Sequence, residues 1–108
     1  MTVPAAAAAL EPPLKPRATP LQKINVADLY GTHCAACHGV DGTGNALRVA
    51  LPTIPNFVDS IWQKTRSDDD FVLRIRDGKD PLMPTFNDKL NPEQIHALAV
   101  YTRAFAGK

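Results

Sequence analysis

The sequence predicts an all-α fold, and three observations support this prediction. No alternating apolar and polar pattern of useful length occurs, so no β-strand is predicted. Residues that cap helix N-termini stand at Asn25, Ser67 and Asn91. Apolar residues recur at helical spacing after each of them. The chain of 108 residues is therefore expected to contain one small helical domain.

Residues 1–22 differ in composition from the rest of the chain. They hold five of the ten prolines and no pattern that could form an apolar face. We interpret residues 1–22 as a Pro/Ala-rich linker or tail and residues 23–108 as the folded domain. A disordered tail, a tether to another domain and an arm packed on one all remain open. Met1–Leu10 lacks the basic start of a signal peptide, so export is expected to depend on a sequence not in this chain.

The first helix is predicted to begin after Asn25, with Asp28 in its first turn, and to continue to about Ala36. Its apolar stripe comprises Val26, Leu29 and Tyr30.

A glycine-rich loop, Gly39–Gly44, follows this helix and leads to a short turn at 46–50. Two prolines then hold residues 51–57 extended. Asp59 is predicted to cap a short helix that carries Ile61 and Trp62.

Ser67 begins the next helix, with three aspartates in its first turn and Gly78 at its end. We expect Phe71, Val72 and Ile75 to form its buried face.

The last helix follows a loop at residues 79–90. Asn91, Pro92 and Gln94 mark its start, as an N-cap, a first-turn proline and the third residue of a capping box. Its apolar stripe comprises Ile95, Leu98, Ala99, Tyr101, Thr102 and Phe105.

Composition and charge limit the possible functions. A domain of this size with one Trp, two Tyr and four Phe buries a modest core, which a large apolar cofactor would enlarge. The net charge is +1, and no block of like charge indicates nucleic acid or an anionic membrane as partner. No transmembrane run is present. Both cysteines belong to one motif, which leaves none for a structural disulfide.

That motif is Cys34-Ala35-Ala36-Cys37-His38, which has the C-x-x-C-H pattern of a c-type haem attachment site. On a helical turn both thiols lie on one side, where they can bond the two vinyl groups of one porphyrin, and His38 can bind the iron. A zinc site would need four ligands, and only His33 and His96 remain to supply them. A thioredoxin-like dithiol would need a βαβ context that this sequence lacks.

Met83 is the candidate for the second axial ligand. It is the only methionine inside the folded part and lies in a proline-flanked loop, although an isolated methionine is also a common core residue. A thioether opposite His38 would complete the Met/His pair of cytochromes c.

From about Asn25 to Phe105 the chain resembles a class I cytochrome c. The matching motifs are Tyr30-x-x-x-Cys34-Ala-Ala-Cys37-His38-Gly39, Gly42-x-Gly44, Leu51-Pro52 with Pro55-Asn56-Phe57, Gly78 with Met83-Pro84, and Leu98-x-x-Tyr101. The resemblance implies a small cytochrome c fold, with three to four helices wrapped around one covalently attached haem. It also implies that Val26 and Tyr30 pack against Leu98 and Tyr101.

The resemblance further implies several residues around the cofactor. A proline carbonyl, from Pro52 or alternatively Pro55, is expected to accept a hydrogen bond from the His38 ring. Tyr30 belongs to the cofactor-binding motif, whereas His33 and His96 are expected on the surface. The candidates for holding the haem propionates are Trp62, Gln63, Arg66 and Arg48.

These features predict that the chain transfers single electrons through a His/Met-ligated haem c and is not an enzyme on its own. The chain would act as a donor or relay module in the periplasm or otherwise outside the cytoplasm, with a redox protein docked at the exposed haem edge. The alternative is the C-terminal haem domain of a larger redox enzyme, such as a nitrite reductase, terminal oxidase or dehydrogenase, which feeds a tethered catalytic domain. Haem catalysis or gas sensing at an open iron is a third possibility, and it would require Met83 to be displaced easily.

Overall fold

A computed structural model of the chain describes residues 24–108, and the predicted linker at residues 1–22 lies outside them. The described part contains five α-helices: α1 (Val26–His33), α2 (Ala35–His38), α3 (Ser60–Lys64), α4 (Asp68–Asp77) and α5 (Pro92–Arg103). A 3-10 turn, Asn45–Leu47, lies between α2 and α3. Within residues 24–108 the only extended pairing is an isolated bridge between Lys79 and Met83. The all-α prediction is confirmed.

The predicted helix caps are confirmed as well. The Asn25 side chain accepts a hydrogen bond from the Asp28 N–H at the start of α1. Asp59 accepts from two N–H groups at the start of α3. Ser67 and Asn91 each form a reciprocal capping box with the residue three positions later. Each helix start is thus fixed by side chains close in sequence.

The first helix differs from the prediction. It ends at His33, and Cys34 leaves the helical conformation with φ −124° and ψ −37° before α2 begins at Ala35. Hydrogen bonds still pass through the break, from the Cys34 N–H to the Tyr30 carbonyl and from the His38 N–H to the Cys34 carbonyl, each 2.9 Å. This division of the predicted first helix gives five helices instead of three to four.

The core lies where α1 and α4 pack against α5. Leu98 on α5 is fully buried, and Tyr30 on α1 lies with its ring centroid 5.1 Å from that of Tyr101. Val26 also packs against this core, as expected. The buried core residues are Tyr30, Phe57, Phe71, Ile75, Phe86, Leu90, Ile95, Leu98 and Ala99, which we call the central cluster. Among residues 24–108, no helix has the length and apolar character needed to cross a membrane.

Candidate haem-binding site

The Cys34–His38 motif lies at the junction of α1 and α2. Cys34 is half-buried against the central cluster and Cys37 is exposed, and both thiols are free. Burial, followed by the charge of Cys37, raises the pKa of the Cys34 thiol to about 11. Because the two cysteines are three positions apart across one helical turn, they can share one side of it. The arrangement suits attachment of one planar group at two points.

The His38 imidazole is stacked on Phe57, with ring centroids 4.8 Å apart and planes inclined by 25°. Its Nδ1 atom is buried and has no hydrogen-bond partner among the described residues. Burial lowers the pKa of this imidazole, which favours the neutral form. A neutral imidazole is the form that binds a metal.

Met83 is half-buried and packs against the same central cluster. Its backbone is paired with Lys79 by two hydrogen bonds of 2.9 Å, so residues 79–83 form a closed loop. Met83 therefore lies at one end of a short turn whose two ends are hydrogen-bonded to each other.

These side chains fit a c-type haem. Two free thiols, an imidazole and a thioether are the donor set that haem c requires, and three of these four groups border the central cluster: Cys34 and Met83 pack on it and His38 stacks on Phe57. The unpartnered Nδ1 of His38 is the kind of buried polar atom that needs an acceptor once the ring is oriented on iron. Among the described residues, no three His, Cys, Asp or Glu side chains are grouped to hold a metal ion.

The two candidate prolines differ in position. Pro52 is exposed, whereas Pro55 is half-buried. A methyl group on Gly44 would come within 3.1 Å of the Pro55 carbonyl oxygen, and the Gly44 N–H donates to the His38 carbonyl at 2.8 Å. Neither proline accepts a bond from Nδ1 in the structure. The Pro55 carbonyl thus lies beside the segment that follows His38.

Arg48 joins the glycine-rich loop, at Thr43, to the extended segment, at Ile54. Its guanidinium donates to the carbonyl oxygens of Thr43 and Ile54. The side chain is partly buried and forms no ion pair within the described residues. It therefore presents a positive charge that no protein carboxylate neutralises there.

The other candidates for holding the propionates are Gln63, Trp62 and Arg66. Gln63 is 4 % exposed, and its amide donates to the carbonyls of Phe57 and Thr102, at 2.8 and 3.0 Å. Arg103 donates to both the backbone and the side-chain oxygen of Gln63. Half-buried Trp62 carries the Arg66 guanidinium 5.2 Å above its ring. A propionate could bind the Gln63 amide only by displacing its bond to Phe57 or one that joins α3 to α5.

Residues 22–101 match the protein family described as cytochrome c oxidase, cbb3-type, subunit III. The chain belongs to this family. It is an electron-transfer cytochrome c domain with the small all-α cytochrome c fold.

Individual relatives agree with this assignment. The cbb3-type cytochrome c oxidase subunit CcoP of Rubrivivax gelatinosus is 41% identical over 68 residues, which cover 63% of this chain and 21% of that protein. The subunit FixP of Azorhizobium caulinodans is 33% identical over 92 residues, which cover 85% of this chain and 30% of that protein. This cytochrome c domain thus spans less than a third of the length of these relatives.

A solved structure supports the fold directly. The KustC0563 c-type cytochrome is 36% identical and superposes with a TM-score of 0.66, covering 77% of this chain and 99% of that chain. The likeness thus extends over nearly the whole of that protein.

Tyr30 and the two other histidines of this cytochrome c domain complete the description. Tyr30 is buried, and its hydroxyl donates to the Gly39 carbonyl at 2.7 Å. Burial, and next the charge of Cys34, raise the pKa of this phenol. His33 is partly exposed and packs edge-on against Phe86, with ring centroids 5.4 Å apart, while His96 is exposed as predicted. The contact with Phe86 had no local sequence signal because the two residues lie far apart in the chain.

Proposed function

We propose that the chain binds one haem c covalently through Cys34 and Cys37, with His38 and Met83 as the axial ligands, and transfers single electrons. The observation that carries this proposal is that the imidazole, the thioether and the Cys34 thiol all border the central cluster. When bound, the haem supplies an iron that alternates between the ferrous and ferric states.

Each protein group has a defined task in this proposal. His38 binds through a neutral imidazole, and Phe57 restrains the plane of its ring. Pro55, given above as the alternative to Pro52, is the proposed acceptor for the Nδ1–H. Such an acceptor fixes the tautomer and orientation of a ligating histidine.

For the propionates we propose Arg48, Arg66 and the Trp62 indole. Arg48 supports this choice because its charge is partly buried without an ion-pair partner among the described residues. Gln63 is left out of the proposed set because its amide is already engaged on both sides.

For partners and location, we propose that the domain works outside the cytoplasm and passes electrons to another redox protein. Exposed Cys37, with Val40 at 83% exposure, marks an accessible and partly apolar edge beside the attachment motif. Contacts of this kind between redox proteins are small and transient.

The alternative that the chain is part of a larger redox enzyme also has support. The relatives described above are longer proteins named as subunits of a cbb3-type oxidase. Among the enzyme classes considered, this favours a terminal oxidase. The mass of the native polypeptide distinguishes the two: a mass near that of these 108 residues plus haem favours a separate carrier, and a much larger mass favours the fused domain.

The haem proposal is tested on protein produced with a haem-attachment system. Intact mass should equal the polypeptide plus one haem after denaturation and acid extraction, and a redox titration should show one reversible one-electron transition. The double variant Cys34→Ala/Cys37→Ala should lose its haem on extraction. An exposed alanine substitution on α3, Ile61→Ala, is the control and should keep it. A wild-type mass without haem would contradict the proposal.

A further inference from the structure

The loop that carries Met83 is attached to the end of α4. The N–H groups of Phe86 and Asn87 donate to the carbonyls of Ile75 and Arg76, at 3.2 and 3.1 Å. The Thr85 hydroxyl also donates to the Arg76 carbonyl, at 2.5 Å. Carbonyl groups in the last turn of a helix have no partner within the helix, so they are available to bind a neighbouring segment. The chain after Met83 therefore runs back along this helix end.

Gly78 lies at the centre of this junction. It is buried, ends α4 and has φ +73°, a conformation that side chains other than glycine rarely adopt. A Cβ atom here would lie 2.5 Å from the Met83 carbonyl oxygen and 2.7 Å from the carbonyl carbon of Pro84. These contacts are with backbone atoms, which cannot move aside as the end of a flexible side chain could.

We infer that Gly78 is a positioning residue for Met83: its missing side chain allows the Met83–Pro84 backbone to lie against α4, and this contact sets how firmly the thioether is presented. The inference rests on the proposed role of Met83 as axial ligand. Two features hold the loop, namely the Lys79–Met83 bridge and the bonds to the last turn of α4. The end of α4 leaves no space for the Met83 backbone to move closer to the helix. The position of this backbone is therefore fixed by its contact with α4.

The test compares Gly78→Ala with wild type in the haem-loaded protein. Any Cβ at residue 78 must push the Met83 carbonyl away, so the sulfur should bind iron more weakly. The far-red sulfur-to-iron absorption band should be weakened or lost in the oxidised variant, and its reduction potential should fall. Since a strained backbone position changes an equilibrium by about tenfold or more, imidazole should displace Met83 with at least about tenfold higher affinity.

Gly107→Ala is the matched control. Gly107 also has positive φ, at +77°, but a Cβ there would meet only the Ser60 hydroxyl oxygen at 3.5 Å. It introduces a similar backbone strain without a clash at Met83, so the band, the potential and the imidazole affinity should match wild type. Equal imidazole affinity and an unchanged band in the Gly78→Ala protein would overturn the inference.

A second variant covers the case in which Gly78→Ala does not fold. Thr85→Val keeps the side-chain shape and removes two hydrogen bonds of the hydroxyl, one donated to the Arg76 carbonyl and one accepted from the Asn87 N–H. Since a single hydrogen bond contributes about 1 kcal/mol, imidazole affinity should rise by at least about fivefold, and an unchanged affinity would count against the inference. If wild type itself has no sulfur-to-iron band, the proposed role of Met83 as axial ligand is wrong. If wild type has the band and both variants behave as wild type, Met83 remains the proposed ligand and only the inference that its contact with α4 positions it is wrong.

Discussion

The His38 imidazole and the Phe57 phenyl ring lie face to face, 4.8 Å apart at their centroids. Phe57 is 7% exposed and also contacts the rings of Trp62, Phe71 and Phe105. One phenylalanine thus connects the candidate iron ligand to the centre of the fold. The orientation of the ligand and the packing of the core depend on the same side chain.

Replacing Phe57 by alanine should therefore lower the free energy of unfolding by about 3–5 kcal/mol, the usual cost of removing a buried phenyl ring. Chemical denaturation of the haem-loaded protein measures the change. Ile61→Ala is the control, because Ile61 is 76% exposed and its truncation should change stability by less than about 0.5 kcal/mol. If the two variants were equally stable, the burial of Phe57 in the core would be contradicted.

Gln63 gives a second prediction, since its buried amide joins α3 to α5. Gln63→Leu leaves the buried Phe57 carbonyl without its donor, which should cost about 1–3 kcal/mol, whereas the Thr102 carbonyl still accepts the Phe105 N–H at 3.3 Å. The reduction potential should stay at the wild-type value because no propionate contact is removed. Unfolding curves and a redox titration measure both effects. A shifted potential with unchanged stability would instead support the propionate role suggested by the sequence.

Asp70 gives a prediction about pH. Its pKa lies below the ordinary value of 3.8, chiefly because its carboxylate accepts the Ser67 N–H, with the charges of Arg66 and Arg74 adding to the effect. A carboxyl group whose pKa is lower in the folded state stabilises the fold above its unfolded pKa. This contribution is lost as the pH falls through the folded pKa. Asp70→Asn should therefore be less stable than wild type at neutral pH, and the difference should shrink as the pH falls below about 4.

The control for this measurement is Asp69→Asn. Asp69 lies in the same first turn of α4 but is not part of the capping box. Its substitution changes the charge at the helix start equally and should give a smaller difference from wild type at neutral pH. Identical pH profiles for the two variants would show that the Ser67–Asp70 capping box contributes nothing measurable.

The sequence was most informative where the interactions are local. The caps at Asn25, Asp59, Ser67 and Asn91 use side chains within three residues of the groups they bind, so short patterns were enough to predict them. The family was also accessible from the spacing of Cys34, Cys37 and His38.

Contacts between distant segments were harder to predict. Gln63 bonds to Thr102, which is 39 positions away. A single glutamine that binds a propionate and one that links two helices look the same in the sequence. The contact of His33 with Phe86 was not predicted, because Phe86 belongs to a loop that is hydrogen-bonded to the end of α4. The break at Cys34 within the predicted first helix likewise has no glycine or proline to mark it.

Axial ligation by Met83 is the central claim, and optical spectroscopy of the oxidised, haem-loaded protein tests it most directly. Wild type should show the weak far-red sulfur-to-iron band, and Met83→Ala should lose it while keeping the haem attached through the two cysteines. A thioether ligand also raises the reduction potential, so the variant should have a lower one. Absence of the band in wild type, or its persistence in Met83→Ala, would contradict the account.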